Sequence, residues 1–119
     1  MLFRSHSAGN LSYRKKLAQY YKNQDIDLGA ENIIVTAGGS EAIVFAMMSC
    51  MDAGDEIIIP EPFYANYLGF GTQAGIRIVP VESSIETGFS LPPIAEFEKK
   101  ITSATKAIMI CNQIGRAHV

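Results

Sequence analysis

The chain has 119 residues, less than a typical domain, so it holds one compact unit or part of a larger one and no second domain is expected. Its residues are 48% hydrophobic and 18% charged with a formal net charge of −2, which excludes a disordered polar chain and leaves no basic block to grip nucleic acid. The longest apolar stretch, Ala42 to Met51, is broken by Ser49 and reaches only about half the length of a bilayer span, so no membrane role is expected.

In chain order, Gly9 and Asn10 precede a segment from Leu11 to Asn23 with Tyr13, Leu17, Tyr20 and Tyr21 at i, i+4, i+7 and i+8. That spacing predicts an amphipathic helix, with Arg14, Lys15, Lys16 and Lys22 on its solvated face. Asp25 to Asn32 reads as a connection, and the β-branched run Ile33 to Thr36 as a strand. Ala37-Gly38-Gly39-Ser40 is a tight turn into a helix from Glu41 to Met51, apolar on nearly every face and therefore expected to be covered all round.

After a turn at 52–55, Ile57-Ile58-Ile59 forms a strand that Pro60-Glu61-Pro62 stops. A helix is expected from Phe63 to Gln73, a strand from Ile76 to Val81, a loop from Ser83 to Leu91, a short helix from Pro92 to Ile101 and a last strand from Ala107 to Cys111. Strands and helices alternate, and the strand cores are continuously apolar, as burial on both faces of a sheet requires. The expected fold class is α/β, a partial three-layer α/β/α sandwich around a mostly parallel sheet.

Cys50 and Cys111 each sit in an apolar run without the spacing of a zinc or redox site. They read as buried free thiols suited to a reducing cytosol, so the expected location is cytoplasmic. No metal site is expected. The lone His6 reads as an exposed residue.

Chemistry is expected beyond the carboxyl ends of the strands. At Thr36-Ala37-Gly38-Gly39-Ser40-Glu41, glycines let the backbone approach an anion, and the free N–H groups that open a helix supply donors at the positive end of its dipole. A phosphate suits such a place, although many turns of this kind need glycine for geometry alone. No Walker loop occurs, and Gly69-Phe70-Gly71-Thr72-Gln73-Ala74-Gly75 has one residue too many for a dinucleotide fingerprint and precedes a strand instead of following one. At the second strand end, Pro62-Phe63-Tyr64-Ala65-Asn66-Tyr67 sets aromatics beside the exit of the chain, where one could stack on a planar ligand or simply fill the core.

Taken together, several segments resemble the class I/II aminotransferases, fold type I, of the aspartate aminotransferase superfamily. The resemblance runs through Ser7-Ala8-Gly9 before Tyr13-Arg14, Ile34 to Ile43, Gly54-Asp55-Glu56, Pro62 to Tyr67, Pro80-Val81, Thr105 to Ile108 and Cys111-Asn112. It implies pyridoxal 5′-phosphate as cofactor, with the Gly39 and Ser40 backbone N–H groups on its phosphate, Glu41 a weaker candidate beside them, and Tyr64 stacked on its pyridine ring. It implies transfer of an amino group between an amino acid and a 2-oxo acid in a homodimeric parent. A C–S lyase or decarboxylase of the same fold type, or a non-catalytic α/β module for a phosphorylated ligand, remains an alternative.

That chemistry needs a Schiff-base lysine and a carboxylate on the pyridine nitrogen. Neither is assigned in this chain, so no catalytic residue is named. Lys15, Lys16, Lys22, Lys99, Lys100 and Lys106 lie on polar helical faces or ahead of the last strand, and the family's N-P-T-G loop, aspartate, lysine and arginine come after Asn112. Gln113 stands where the family has a proline, and Arg4 where it has a tyrosine. Met1 to Ser5 and Ile114 to Val119 resemble translations of a common sequencing adapter. The expected natural segment is therefore 6–112, the first part of the family's large domain, with 1–5 and 113–119 as adapter-derived ends. Such a fragment is expected to be inactive and poorly soluble.

Overall fold

The computed structural model describes residues 6–111, so the expected adapter ends and Asn112 lie outside the described residues. Where one compact unit was expected there are two, 1–42 and 43–119, and the helix after the glycine turn runs from the first into the second.

In the first unit, α1 (Leu11–Lys22) starts where the Asn10 side chain accepts from the Ser12 N–H, a cap that satisfies one of the free amides of the first turn. Its face is not the one the tyrosine spacing suggests. Tyr13, Tyr20 and Tyr21 are exposed, while Arg14, expected in solvent, is only 6% exposed. The reason is local. The Arg14 guanidinium donates from Nε to the Gly9 carbonyl at 3.2 Å and from Nη1 to the Ala30 carbonyl at 2.8 Å, tying both flanks of the helix to it.

A 3₁₀ turn at Ala30–Asn32 leads into residues 33–36, which are not part of the sheet. The strand expected there lacks a ladder: among the described residues its inter-segment bond is Val35 N–H to the Ala8 carbonyl at 3.0 Å, and Ile34 is exposed. β-branched composition favours an extended backbone, but a strand also needs a neighbour.

The second unit carries a three-stranded parallel sheet in the order β2-β1-β3, with β1 Glu56–Pro60, β2 Arg77–Val81 and β3 Thr105–Ile108. β1 pairs in register with β2 from Glu56↔Arg77 to Pro60↔Val81, and with β3 through an irregularity between Glu56 and Ile57. Alternate residues of β1 point to opposite faces. Ile57 and Ile59 join Met47 of α2 (Gly39–Cys50), Met51 just after it, Tyr67 of α3 (Asn66–Ala74) and Ile76 in one core cluster. Ile58 joins Val81 and Phe97 of α4 (Ile94–Glu98) in another. Helices therefore cover both faces of the sheet, as in a partial three-layer α/β/α arrangement. Gly75, left-handed at φ 73°, ends α3, so the glycine-rich stretch before it is helix and not a nucleotide loop.

Only central β1 is buried on both faces; β2, with one neighbour, buries Val81 alone, and β3, also with one neighbour, alternates between half-buried and exposed. The last strand starts at Thr105 and includes Lys106, and the short helix spans five residues only. α2 buries Met47 alone, leaving Phe45 and Met48 exposed, and Cys50 and Cys111 are exposed as well. Apolar faces of α2 and the outer edge of β3 have no neighbour among the described residues to cover them.

Candidate functional site

The glycine turn is built by its own side chains. The Thr36 hydroxyl donates to the Gly38 carbonyl at 2.9 Å, and the Ala37 N–H donates to the Glu41 carboxylate at 2.6 Å. Helical bonding starts with Ala42 N–H to the Gly38 carbonyl at 3.2 Å, so the N–H groups of Gly39, Ser40 and Glu41 head α2 with no carbonyl of the same helix before them. Gly38, Gly39 and Ser40 are exposed, and a Cβ added at Gly38 or Gly39 would meet nothing within 4 Å. Open space thus lies before donors at the positive end of a 12-residue helix, a place suited to an anion. The Glu41 carboxylate closes the loop on Ala37, so what Glu41 has to offer an anion is its backbone N–H.

In the second unit β1 leaves through a cis Glu61–Pro62 peptide into Phe63 and Tyr64. Tyr64, 37% exposed, meets Tyr67 edge to face with ring centroids 5.6 Å apart, and its hydroxyl accepts from the Asn66 side chain at 2.7 Å. Tyr67 and Asn66 help to orient the ring, part of whose surface remains in solvent. Tyr67 in turn stacks on Phe63 within the core cluster. Gly39 and Ser40 thus share one helical turn in the first unit, and Tyr64 occupies the strand exit of the second.

At the opposite end of the strands Glu56, 1% exposed, forms an ion pair with Arg77 and accepts from the Thr102 hydroxyl at 2.7 Å. The Thr105 hydroxyl adds a longer bond to the same carboxylate at 3.4 Å. An open groove of about 540 Å³ beside α1 is lined by Lys15 and Lys22 but also by Asp27 and Glu31, so neither sign of charge prevails. Among the described residues no three His, Cys, Asp or Glu side chains gather as a metal site requires. His6 is exposed, and its Nδ1 accepts from the Ala8 N–H. All six lysines are exposed.

The sequence pattern of the family described as aminotransferase class I and II matches residues 4–113. The chain belongs to the class I and II aminotransferases. Among relatives of these aminotransferases, YugH of Bacillus subtilis is 36% identical over 108 residues, 89% of this chain and 28% of that protein. An aspartate aminotransferase of Pyrococcus horikoshii is 35% identical over 87% of this chain and 27% of its own length. Among solved structures, the Thermus thermophilus aspartate aminotransferase with maleate superposes with a TM-score of 0.82 at 31% identity, covering 87% of this chain and 27% of that one. The chain spans little more than a quarter of the length of these relatives.

Sequence reasoning missed the parts that hold the candidate residues. A charge at a helical position ordinarily means solvent, and Arg14 departs from that rule. Asn66, two residues after Tyr64, gave no periodic signal. The Thr36 and Glu41 braces are legible in the sequence only as polar residues on either side of the glycine turn.

Proposed function

We propose that residues 6–112 are the cofactor-gripping first part of an aminotransferase that moves an amino group between an amino acid and a 2-oxo acid, in a cytosolic homodimer. The observation that carries the reading is the row of open amides at Gly39 and Ser40, inside a stretch that matches the family from residue 4 to 113. The residues fit pyridoxal 5′-phosphate: a phosphate monoester needs donors with clear approach, and these glycines offer no side chain to obstruct it. When bound, that cofactor supplies the aldehyde and the electron-withdrawing ring on which amino transfer depends.

This chain's own residues would bind and orient. Gly39 and Ser40 would donate their N–H groups to the phosphate, with the α2 dipole favouring its charge. Tyr64 would lie flat over the pyridine ring, its phenol oxygen held by Asn66. No proton transfer is assigned to any residue of the chain, and its lysines are all exposed, with no enclosed site to hold one against a reacting carbonyl.

The test is the uninterrupted gene read beyond codon 112 and expressed alongside the 119-residue chain. Amino transfer to a 2-oxo acid is expected from the complete protein and none from the 119-residue chain. Release of a thiol or of carbon dioxide, in place of amino transfer, would favour the lyase or decarboxylase reading, and turnover by the 119-residue chain would refute the division of labour.

A further inference from the structure

Arg14 is a buried cation with no carboxylate on it among the described residues, and the binding role just proposed does not use it. Burying a guanidinium is costly unless its donors find hydrogen-bond acceptors. Its two bonds are to carbonyl oxygens, of Gly9 at 3.2 Å and of Ala30 at 2.8 Å, so what it holds is backbone.

That backbone leads to the anion loop in a few steps, all within the first unit. The carbonyl of Ala8, next to Gly9, accepts from the Val35 N–H at 3.0 Å. Gly9 itself, at φ 94°, lies so close to Val35 that an added Cβ would come within 2.7 Å of the valine Cβ. Val35 is thereby registered against the turn that Arg14 fixes. From Val35 onward the chain has little slack, because Thr36 is bonded to Gly38 and Ala37 to Glu41. A displacement of Ala8–Gly9 must therefore move Val35, and with it the direction in which the Gly39 and Ser40 amides point.

We infer that Arg14 is a positioning residue for the Gly39–Ser40 amides, acting through Gly9, Ala8 and Val35. The inference rests on the phosphate-binding reading proposed above, but half of its test needs no ligand. Arg14→Lys keeps the charge and can reach one carbonyl. Arg14→Ala removes both bonds. Gly9→Ala attacks the same joint from the other side with Arg14 intact.

The experiment uses the complete 119-residue chain at low micromolar concentration. Hydrogen–deuterium exchange is followed at Val35 and at 37–41 without ligand, with Ile57 to Ile59 of the sheet and the α1 amides as folding controls. Binding is followed by the fluorescence of pyridoxine 5′-phosphate, a probe without an aldehyde and so unable to react with the exposed lysines; inorganic phosphate serves as competitor. Exchange at Val35 and 37–41 is expected to quicken in Arg14→Ala and Gly9→Ala while the controls hold. Probe affinity is expected to fall about tenfold in those two and less in Arg14→Lys, as loss of charge-assisted bonds predicts. Added guanidinium ion should restore part of it in Arg14→Ala only.

Unchanged loop exchange and affinity in both variants would overturn the role of Arg14 and leave the phosphate site standing. Loss of the α1 and sheet controls together with the loop would overturn it too, by showing a general structural role. Failure of the unsubstituted chain to bind the probe would remove the phosphate site, and the inference with it.

Discussion

The Ala37 N–H donates to the Glu41 carboxylate at 2.6 Å, closing the turn that carries Gly38, Gly39 and Ser40. The acid at this position is a brace. It also places negative charge beside the amides proposed to hold a phosphate, so its two effects can be separated by substitution.

Glu41→Gln keeps an oxygen to accept from Ala37 and removes the charge. Its affinity for pyridoxine 5′-phosphate is expected to rise about threefold, on the scale of a charge near a helix start. Glu41→Ala loses the brace and is expected to cost about 1 kcal/mol of local stability, read as faster exchange at Ala37. If both variants weaken binding equally, the charge of Glu41 and not its bond to Ala37 is what supports the site, and the brace is refuted.

Glu56 and Arg77 are unequal partners, one buried and the other 71% exposed at its side chain. Arg77→Ala strands a buried carboxylate on hydroxyl donors alone and is expected to cost about 3 kcal/mol, the low end for an uncompensated buried charge because Arg77 is itself exposed. Glu56→Gln leaves an exposed cation that water satisfies, so its cost should be smaller. Urea denaturation of the two variants gives the order; the reverse order would mean that the acid is not desolvated as described.

Cys50 and Cys111 are exposed, against the expectation from their apolar flanks. Both are therefore expected to react with Ellman's reagent in the native chain at the rate of the urea-unfolded one. A native chain that reacts only after unfolding would contradict the placement of α2 and of the chain after β3.

Tyr64 is oriented by Tyr67 and by Asn66. Tyr64→Ala is expected to lower pyridoxine 5′-phosphate affinity about tenfold, and Tyr64→Phe by less, since stacking survives without the hydroxyl. Inorganic phosphate affinity should be unmoved in both. An equal loss for phosphate and for pyridoxine phosphate would mean that Tyr64 supports the loop and not the ring.

How much of this was legible beforehand follows from what each feature depends on. The β1–α3–β2 unit was readable because its signals are local: three isoleucines, two prolines that stop the strand and a glycine that ends the helix. The turn before α2 was readable for the same reason, since glycine and serine at a helix start are properties of the chain itself. The segment 33–36 was misread because a strand is a relation between two segments, and composition reports only one of them. Burial failed in the same way at α2, Cys50 and Cys111, where apolarity says what wants covering and not whether anything covers it. Arg14 failed for the opposite reason: its partners are main-chain carbonyls, which leave no trace in the residue types of Gly9 and Ala30.

The most direct test of the central claim is hydrogen–deuterium exchange of the 119-residue chain with and without saturating pyridoxine 5′-phosphate. The account predicts slowed exchange at 39–41 and, in the same titration, at the segment carrying Tyr64, with inorganic phosphate protecting the first alone. Protection confined to other parts of the chain, or at the Tyr64 segment with no change at Gly39 and Ser40, would contradict it.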